Sequence, residues 1–304
     1  MKMHHLRDLL AIAEFGSINA AAKQLGMGQP ALSRSIKALE TELGAPLLER
    51  QAAGSTLTPM GQLFARRASA AVHELRRAKD EILQLQGAVE GTVVACVSGL
   101  AHIALLSEAL RPFYRRYPKV EARIIEGVYP VVESRLKSGA VDFYIGPAPE
   151  SGLPPDLEMV KLFDNTRVVL ARRGHPLAKA RSLAELVDAR WISTSITQDA
   201  EHEIGNIFTR FGLPSPRVAL HAESALTWIT AVSATDMLVI SPVQWELSPL
   251  TAPLMAPIPI IEVIPAPAIV LVRRRAMPPT PAAEFLCDLM RRPASRFNQE
   301  RVLK

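Results

Sequence analysis

Ser17-Ile18-Asn19-Ala20-Ala21-Ala22-Lys23-Gln24-Leu25-Gly26-Met27-Gly28-Gln29-Pro30-Ala31-Leu32-Ser33-Arg34-Ser35-Ile36-Lys37 is the stretch whose reading decides the fold. Ser17 suits the cap of a short helix, and the alanines that follow let a second helix approach closely. Gly26 and Gly28 then break it, because glycine tolerates the positive φ that a sharp turn demands. Pro30 is acceptable only in the first turn of a helix, so a second helix is predicted from about Gln29. Along it Leu32, Ile36, Leu39 and Leu43 recur at helical spacing and face inward, leaving Gln29, Ser33, Arg34 and Lys37 outward. No Asp or Glu lies between Phe15 and Leu39, so the outward face is positive and suited to base edges and phosphates. Two helices across a tight turn with such a face make a helix-turn-helix.

Outward from this pair, Leu6, Leu9, Leu10 and Ala13 predict a first amphipathic helix that ends at Phe15-Gly16 and braces the second. On the other side, Gln51 to Thr56 has turn composition between Leu48 and Leu57, as expected of a small β wing. Thr58-Pro59 supplies the cap and first turn of one long helix with no further proline until Pro112. Phe64, Ala68, Ala71, Leu75, Ala78, Ile82, Leu85 and Val89 recur at alternating steps of four and three, the pattern of a coiled-coil seam. With Arg66, Arg67, Arg76, Arg77 and Lys79 off that seam, the expectation is an exposed rod, about 40 to 45 Å long, whose apolar stripe pairs with a second copy.

The run Ala21-Ala22-Lys23-Gln24-Leu25, then Gln29 to Ile36, Leu39-Glu40, Leu43-Gly44, Pro46-Leu47-Leu48-Glu49-Arg50 and Leu57-Thr58-Pro59-Met60-Gly61 closely resembles the N-terminal domain of LysR-type transcriptional regulators. Double-stranded operator DNA is the expected partner, with Gln29, Pro30, Ser33, Arg34, Ser35, Lys37 and Arg50 as the contacting residues. The resemblance also implies a homotetramer, a dimer of dimers in which linker helices pair the reading heads and effector domains pair the dimers.

The 304 residues, nearly half of them apolar, suffice for two or three globular units. A formal charge of +5 is compatible with a polyanionic partner. No apolar run approaches the ~20 residues that cross a bilayer, and Met1-Lys2-Met3-His4-His5 lacks the apolar core of an export signal, so a cytoplasmic protein is expected. The cysteines, Cys96 and Cys287, are far apart and show no metal-ligand spacing with histidine; they read as small buried hydrophobes. Neither a metal nor a cofactor is implied.

After a junction at Gly87 to Gly91, short β-branched runs alternate with helical patterns, which argues for α/β architecture. Expected strands include Val93 to Val97, Val120 to Ile125, Val141 to Ile145, Arg167 to Ala171, Trp191-Ile192, Val218 to His221, Met237 to Ile240 and Ile269 to Val272. Expected helices include one opened by Pro130, Ser182 to Val187, Asp199 to Phe211, Ala225 to Val232 and a last one from Thr280-Pro281. A second lobe begins after Leu162-Phe163, with Pro265-Ala266-Pro267 as the crossover back. Leu136 to Asp142 and His175-Pro176-Leu177 resemble the LysR-type effector domain. The fold class is therefore α/β: a winged helix-turn-helix over 1–58, a linker helix over 59–90, and a two-lobed, periplasmic-binding-protein-like effector domain over 91–304. Lobe I takes about 91–163 and 268–304, and lobe II about 164–267.

A two-lobed α/β domain has its natural pocket between the lobes, where strand ends and helix starts expose backbone amides that favour anions. Candidate effector residues are Ser98, Gly99, Glu126, Tyr129, Ser193, Thr194, Ser195 and His202. The expected effector is a small organic anion with its charge near Ser98-Gly99 and its body against Leu100, Ile103 and Trp191. The leading function is a ligand-responsive DNA-binding regulator. The alternative is a solute-binding protein or enzyme using the same cleft. It leaves the helix-turn-helix unexplained, and neither Gly-x-Ser-x-Gly nor a phosphate-binding glycine loop offers a catalytic anchor.

Overall fold

The computed structural model describes residues 1–51, 54–194 and 200–299. The N-terminal unit consists of α1 (Met3–Phe15), α2 (Ile18–Gln24), α3 (Gln29–Leu43), β1 (Leu48–Gln51) and β2 (Gly54–Leu57). Ser17 caps α2, its hydroxyl accepting from the Ala20 amide at 3.1 Å, and Gly26 takes a φ of 64° in the turn before α3. Leu9, Ile12, Ala21, Leu32, Ile36, Leu39 and Leu47 form its core. The expected inward position of Leu43 does not hold: α3 ends there, so the side chain passes beyond the core and lies on the surface beside Ala45, Leu47, Met60, Leu63 and Phe64. The antiparallel β1–β2 wing is tied to α3 through Glu40, whose carboxylate accepts from the Leu47 and Leu48 amides at 2.7 and 3.0 Å.

Helix α4 (Pro59–Leu85) starts under the Thr58 cap. Gly61 lies so close to the preceding loop that an added Cβ would sit 2.1 Å from the Leu47 carbonyl oxygen, which excludes any larger residue without backbone movement. Along α4 the stripe divides. Phe64 packs against the N-terminal core and Ala68 is buried, whereas Ala71, Leu75, Ala78, Ile82 and Leu85 are exposed. The rod is not free on all sides, however. Arg77, expected in solvent, is buried, as are Asp80 and Gln84, because this polar face docks on the chain's own C-terminal domain.

That domain comprises β3 (Glu90–Val97), α5 (Gly99–Ala101), a π-helical turn over His102–Leu106, α6 (Ser107–Arg116), β4 (Lys119–Glu126), α7 (Glu133–Lys137), β5 (Phe143–Pro147) and β6 (Leu157–Arg172). After a 3-10 turn at Leu183–Leu186 come β7 (Arg190–Ser193), α8 (Ala200–Arg210), β8 (Arg217–His221), α9 (Ala225–Ala234), β9 (Met237–Pro242) and α10 (Gln244–Leu247). The domain closes with β10 (Met255–Ile258), β11 (Ile264–Arg274) and α11 (Pro281–Gln299). The helix expected to open at Pro130 begins instead at Glu133, so Glu126 ends a strand and does not head a helix. Ser182 to Val187 makes only the 3-10 turn, and β10 and α10 had no clear signal in the sequence.

One nine-stranded sheet, ordered β4-β3-β5-β11-β6-β9-β7-β8 with β10 on β6, runs through both lobes. The lobes are joined not by loops but by β6 and β11, antiparallel partners from Ile264 opposite Arg167 to Arg274 opposite Leu157. The expected break after Phe163 is therefore the interior of a 16-residue strand. Register irregularities fall between Ala266 and Ile269, where Pro267 cannot donate to the ladder, and between Ile269 and Val270. Helices cover both faces of each lobe, with Phe113, Phe163 and Leu286 at the centre of one core and Trp191 and Phe208 at the centre of another. Cys287 belongs to the first, and Cys96 to a core on the opposite face of the sheet. Burial pushes their thiols up, to about 12 and about 11 respectively, so both behave as apolar filling.

The dock between α4 and lobe I is polar. Arg77 Nε donates to Asp142 Oδ1 at 2.8 Å, with a second bond from its Nη2, while Asp142 Oδ2 accepts from the Val94 amide at 2.7 Å. Asp80 accepts from the Thr92 amide, and Gln84 bridges the Glu90 carbonyl and the Ala282 amide. Removing one partner of a buried pair strands the other charge, so Asp142→Ala is expected to lower unfolding stability by about 3 to 5 kcal/mol. Urea unfolding followed by circular dichroism measures this; a change under about 1 kcal/mol would mean water reaches the junction and replaces the carboxylate.

Candidate nucleic-acid interface and effector cleft

On α3, Gln29, Pro30, Arg34 and Lys37 are exposed and Ser33 is half-buried beside them, so five of the sequence-derived contact residues share one open side of the helix. Ser35 does not join them. Its hydroxyl donates at 2.5 Å to Oδ2 of Asp8, a residue of α1 whose carboxylate is almost completely buried. The cause is helical phase: Ser35 falls beside Leu32 and Leu39 on the flank that meets α1. Arg50 lies on β1 opposite Ser55; its side chain is outside the described residues.

A cleft of about 870 Å³ opens between the lobes over the crossing strands. Its floor is Asn165, Arg167, Ser241, Ala266, Pro267 and Ile269, contributed by β6, β9 and β11. Ser98, Gly99, Glu126 and Tyr129 line it from lobe I, and Ser193 and Thr194 from lobe II, so six of the eight effector candidates converge. Ser195 lies outside the described residues, as does the side chain of His202, whose backbone is in α8. Several of the six are already engaged. The Ser98 hydroxyl caps α5 through the Ala101 amide at 3.3 Å, and the Tyr129 hydroxyl donates to Glu133 at 2.6 Å. Burial first, and then the Glu133 carboxylate, push the Tyr129 phenol well above its usual range.

The structure weighs against an anion at Ser98-Gly99. A Cβ on Gly99 would lie 3.2 Å from Glu126 Oε1, so a carboxylate of the protein already faces that helix start. The described lining carries Glu126, Glu150, Glu203 and Glu223 against Arg167 alone, and Arg167 is paired with Glu203 at 2.6 Å. Nor is Trp191 beside the cleft: it is buried in lobe II, its indole N–H donating to the Leu186 carbonyl. The aromatic wall is Trp228 and Trp245, edge to face at 4.8 Å. Sequence reading missed Asn165, Arg167, Trp228, Ser241 and Trp245, because neither motif nor spacing marks which residues of long strands meet a cleft.

Two family models match the chain: "LysR substrate binding domain" over residues 86–294 and "Bacterial regulatory helix-turn-helix protein, lysR family" over residues 3–62. Among similar proteins, the HTH-type transcriptional regulator GbpR of Rhizobium radiobacter is 28% identical over 254 residues, covering 82% of this chain and 83% of its own. The HTH-type transcriptional regulator TdcA of Escherichia coli (strain K12) is 26% identical over 264 residues, 87% and 84% of the two chains. The crystal structure of CbnR, a LysR family transcriptional regulator, shares the fold with a TM-score of 0.69 at 23% identity, over 97% of this chain and 99% of that one. Full-length CbnR complexed with its target DNA matches with a TM-score of 0.68 at 23% identity, over 96% and 100%.

The different settings of Ser35 and its neighbours predict different phenotypes. Ser35→Ala leaves a buried Asp8 oxygen without its donor, at an expected cost of about 1 to 3 kcal/mol in urea unfolding. An unchanged midpoint would mean that the carboxylate finds another donor and that Ser35 does not hold α1 to α3.

Proposed function

The chain belongs to the LysR family of transcriptional regulators, and from that premise we propose that it reads double-stranded operator DNA with the open side of α3 and couples this to a small molecule held in the cleft. The observation that carries the reading is the array of Gln29, Ser33, Arg34 and Lys37 on one acid-free helix face. Arg and Gln offer bidentate donors and acceptors to base edges in a major groove wide enough for a helix, and Lys37 supplies a phosphate contact. Arg50 of the wing strand is included among the DNA contacts on the family resemblance alone. No helix among the described residues is long and apolar enough to cross a membrane, and this proposal places the protein in the cytoplasm with its DNA.

Assembly follows from α4. Leu75, Ile82 and Leu85 are more than half exposed on the side away from the chain's own domain, which supports pairing with a second linker helix. Effector domains would then join two such dimers into a tetramer, and an effector would act by preferring one spacing of the reading heads. The solute-binding and enzymatic reading has no observation in its favour.

Arg34→Ala is expected to weaken operator binding by about 1 to 3 kcal/mol at fixed salt, with unfolding unchanged, because an exposed side chain is lost and no core volume. Wild-type affinity in a mobility-shift assay would remove Arg34 from the reading surface. Leu75→Glu places a carboxylate in the proposed seam, where burial without a partner is strongly disfavoured, and sedimentation should report smaller assemblies. Retention of the wild-type mass would show that the stripe is not the seam.

A further inference from the structure

We infer that the effector is a small organic cation, its protonated amine held between the Glu126 carboxylate and the Trp245 indole. This rests on the reading of the cleft as the effector site. Among the described residues, Glu126, Glu150 and Glu223 line the cleft with neither a hydrogen-bond nor an ion-pair partner, and the one cation there, Arg167, is occupied by Glu203. A cleft with walls of low dielectric focuses the field of such charges, repelling anions and concentrating cations.

Carboxylates at a rim do not by themselves make a site, and the floor supplies the independent observation. Ser241 is only 3% exposed and Asn165 only 6%, and both line the cleft. Asn165 uses its side-chain oxygen on the Thr166 amide, so its NH₂ group and the Ser241 hydroxyl are left without partners among the described residues. The residues are buried but these two polar groups open on the cleft, where they are positioned for polar atoms of a ligand. The amine itself has a defined place. Glu126 Oε1 and Trp245 Cζ2 each lie 3.2 Å from the same point beside Gly99, so the carboxylate and the indole are near neighbours and an amine bonded to Glu126 would lie beside the indole. A charge-assisted hydrogen bond to Glu126 would favour an ammonium there, with the indole as its apolar neighbour. Glu126 belongs to lobe I, whereas Glu223, Trp228 and Trp245 approach from the other side, so one cation is gripped across the cleft.

The test uses the full-length protein and three probes with one body and three charges: 2-phenylethylamine, 2-phenylethanol and 3-phenylpropionate. Calorimetric titration at low salt gives affinity, and tryptophan emission reports occupation beside Trp228 and Trp245. The amine should bind tightest, with at least about a tenfold preference over the carboxylate, the size expected of one charge-assisted bond. Glu126→Gln and Glu223→Gln should each reduce that preference, and added salt should narrow it. Should 3-phenylpropionate bind as tightly as the amine, with the same emission change, the cationic assignment falls and the cleft stands as the effector site. If amine binding is indifferent to both glutamine variants and to Ser241→Trp, which fills the floor, the ligand sits elsewhere and both readings fall. Failure of all three probes to bind at millimolar concentration also overturns the cationic assignment.

Discussion

A buried ion pair between Arg77 and Asp142 joins the half of the molecule that carries the reading helix to the half that carries the cleft. Its net contribution to stability is modest, since both charges were taken out of water to form it, but neither tolerates loss of the other. What the pair supplies is register. Asp142 also accepts from the Val94 amide, and its own amide donates to the Val94 carbonyl at 2.7 Å, so the carboxylate is fixed to β3 before it meets Arg77. Asp80, Gln84 and the Glu74–Arg274 pair repeat the arrangement along α4. The helix is thereby held by its polar face, and its apolar stripe is left pointing away from the chain.

The cleft depends on a different constraint. Because β6 and β11 pass through both lobes as one antiparallel pair, the lobes share a sheet and the cleft has a floor of continuous backbone. Ladder pairing there satisfies the main chain, which frees the side chains of Asn165, Arg167 and Ser241 to face the opening. The ladder is irregular between Ala266 and Ile269 and again between Ile269 and Val270, beside the cleft floor. Carboxylates without partners among the described residues, above a polar floor, give the cleft its negative character.

The sequence alone determined whatever is local or periodic. Ser17, Gly26 and Pro30 act within a few residues of themselves, so the two helices and their turn were legible, as were the long α4 and most strands of the C-terminal domain. The inward leucines of α3 followed from spacing until Leu43, where the helix ended before spacing could apply. Tertiary structure decided the rest, because contacts between distant segments leave no local trace. Arg77 reads as a surface residue until Asp142, 65 positions away, is brought beside it. Ser35 reads as one more polar group of the recognition helix until α1 presents Asp8. Pro265-Ala266-Pro267 reads as a crossover loop until β6 supplies a ladder able to hold it as a strand. The sign of the cleft was likewise invisible, since Glu126, Glu150, Glu203 and Glu223 are scattered along the chain and become one field only when the folded sheet brings them around the same opening.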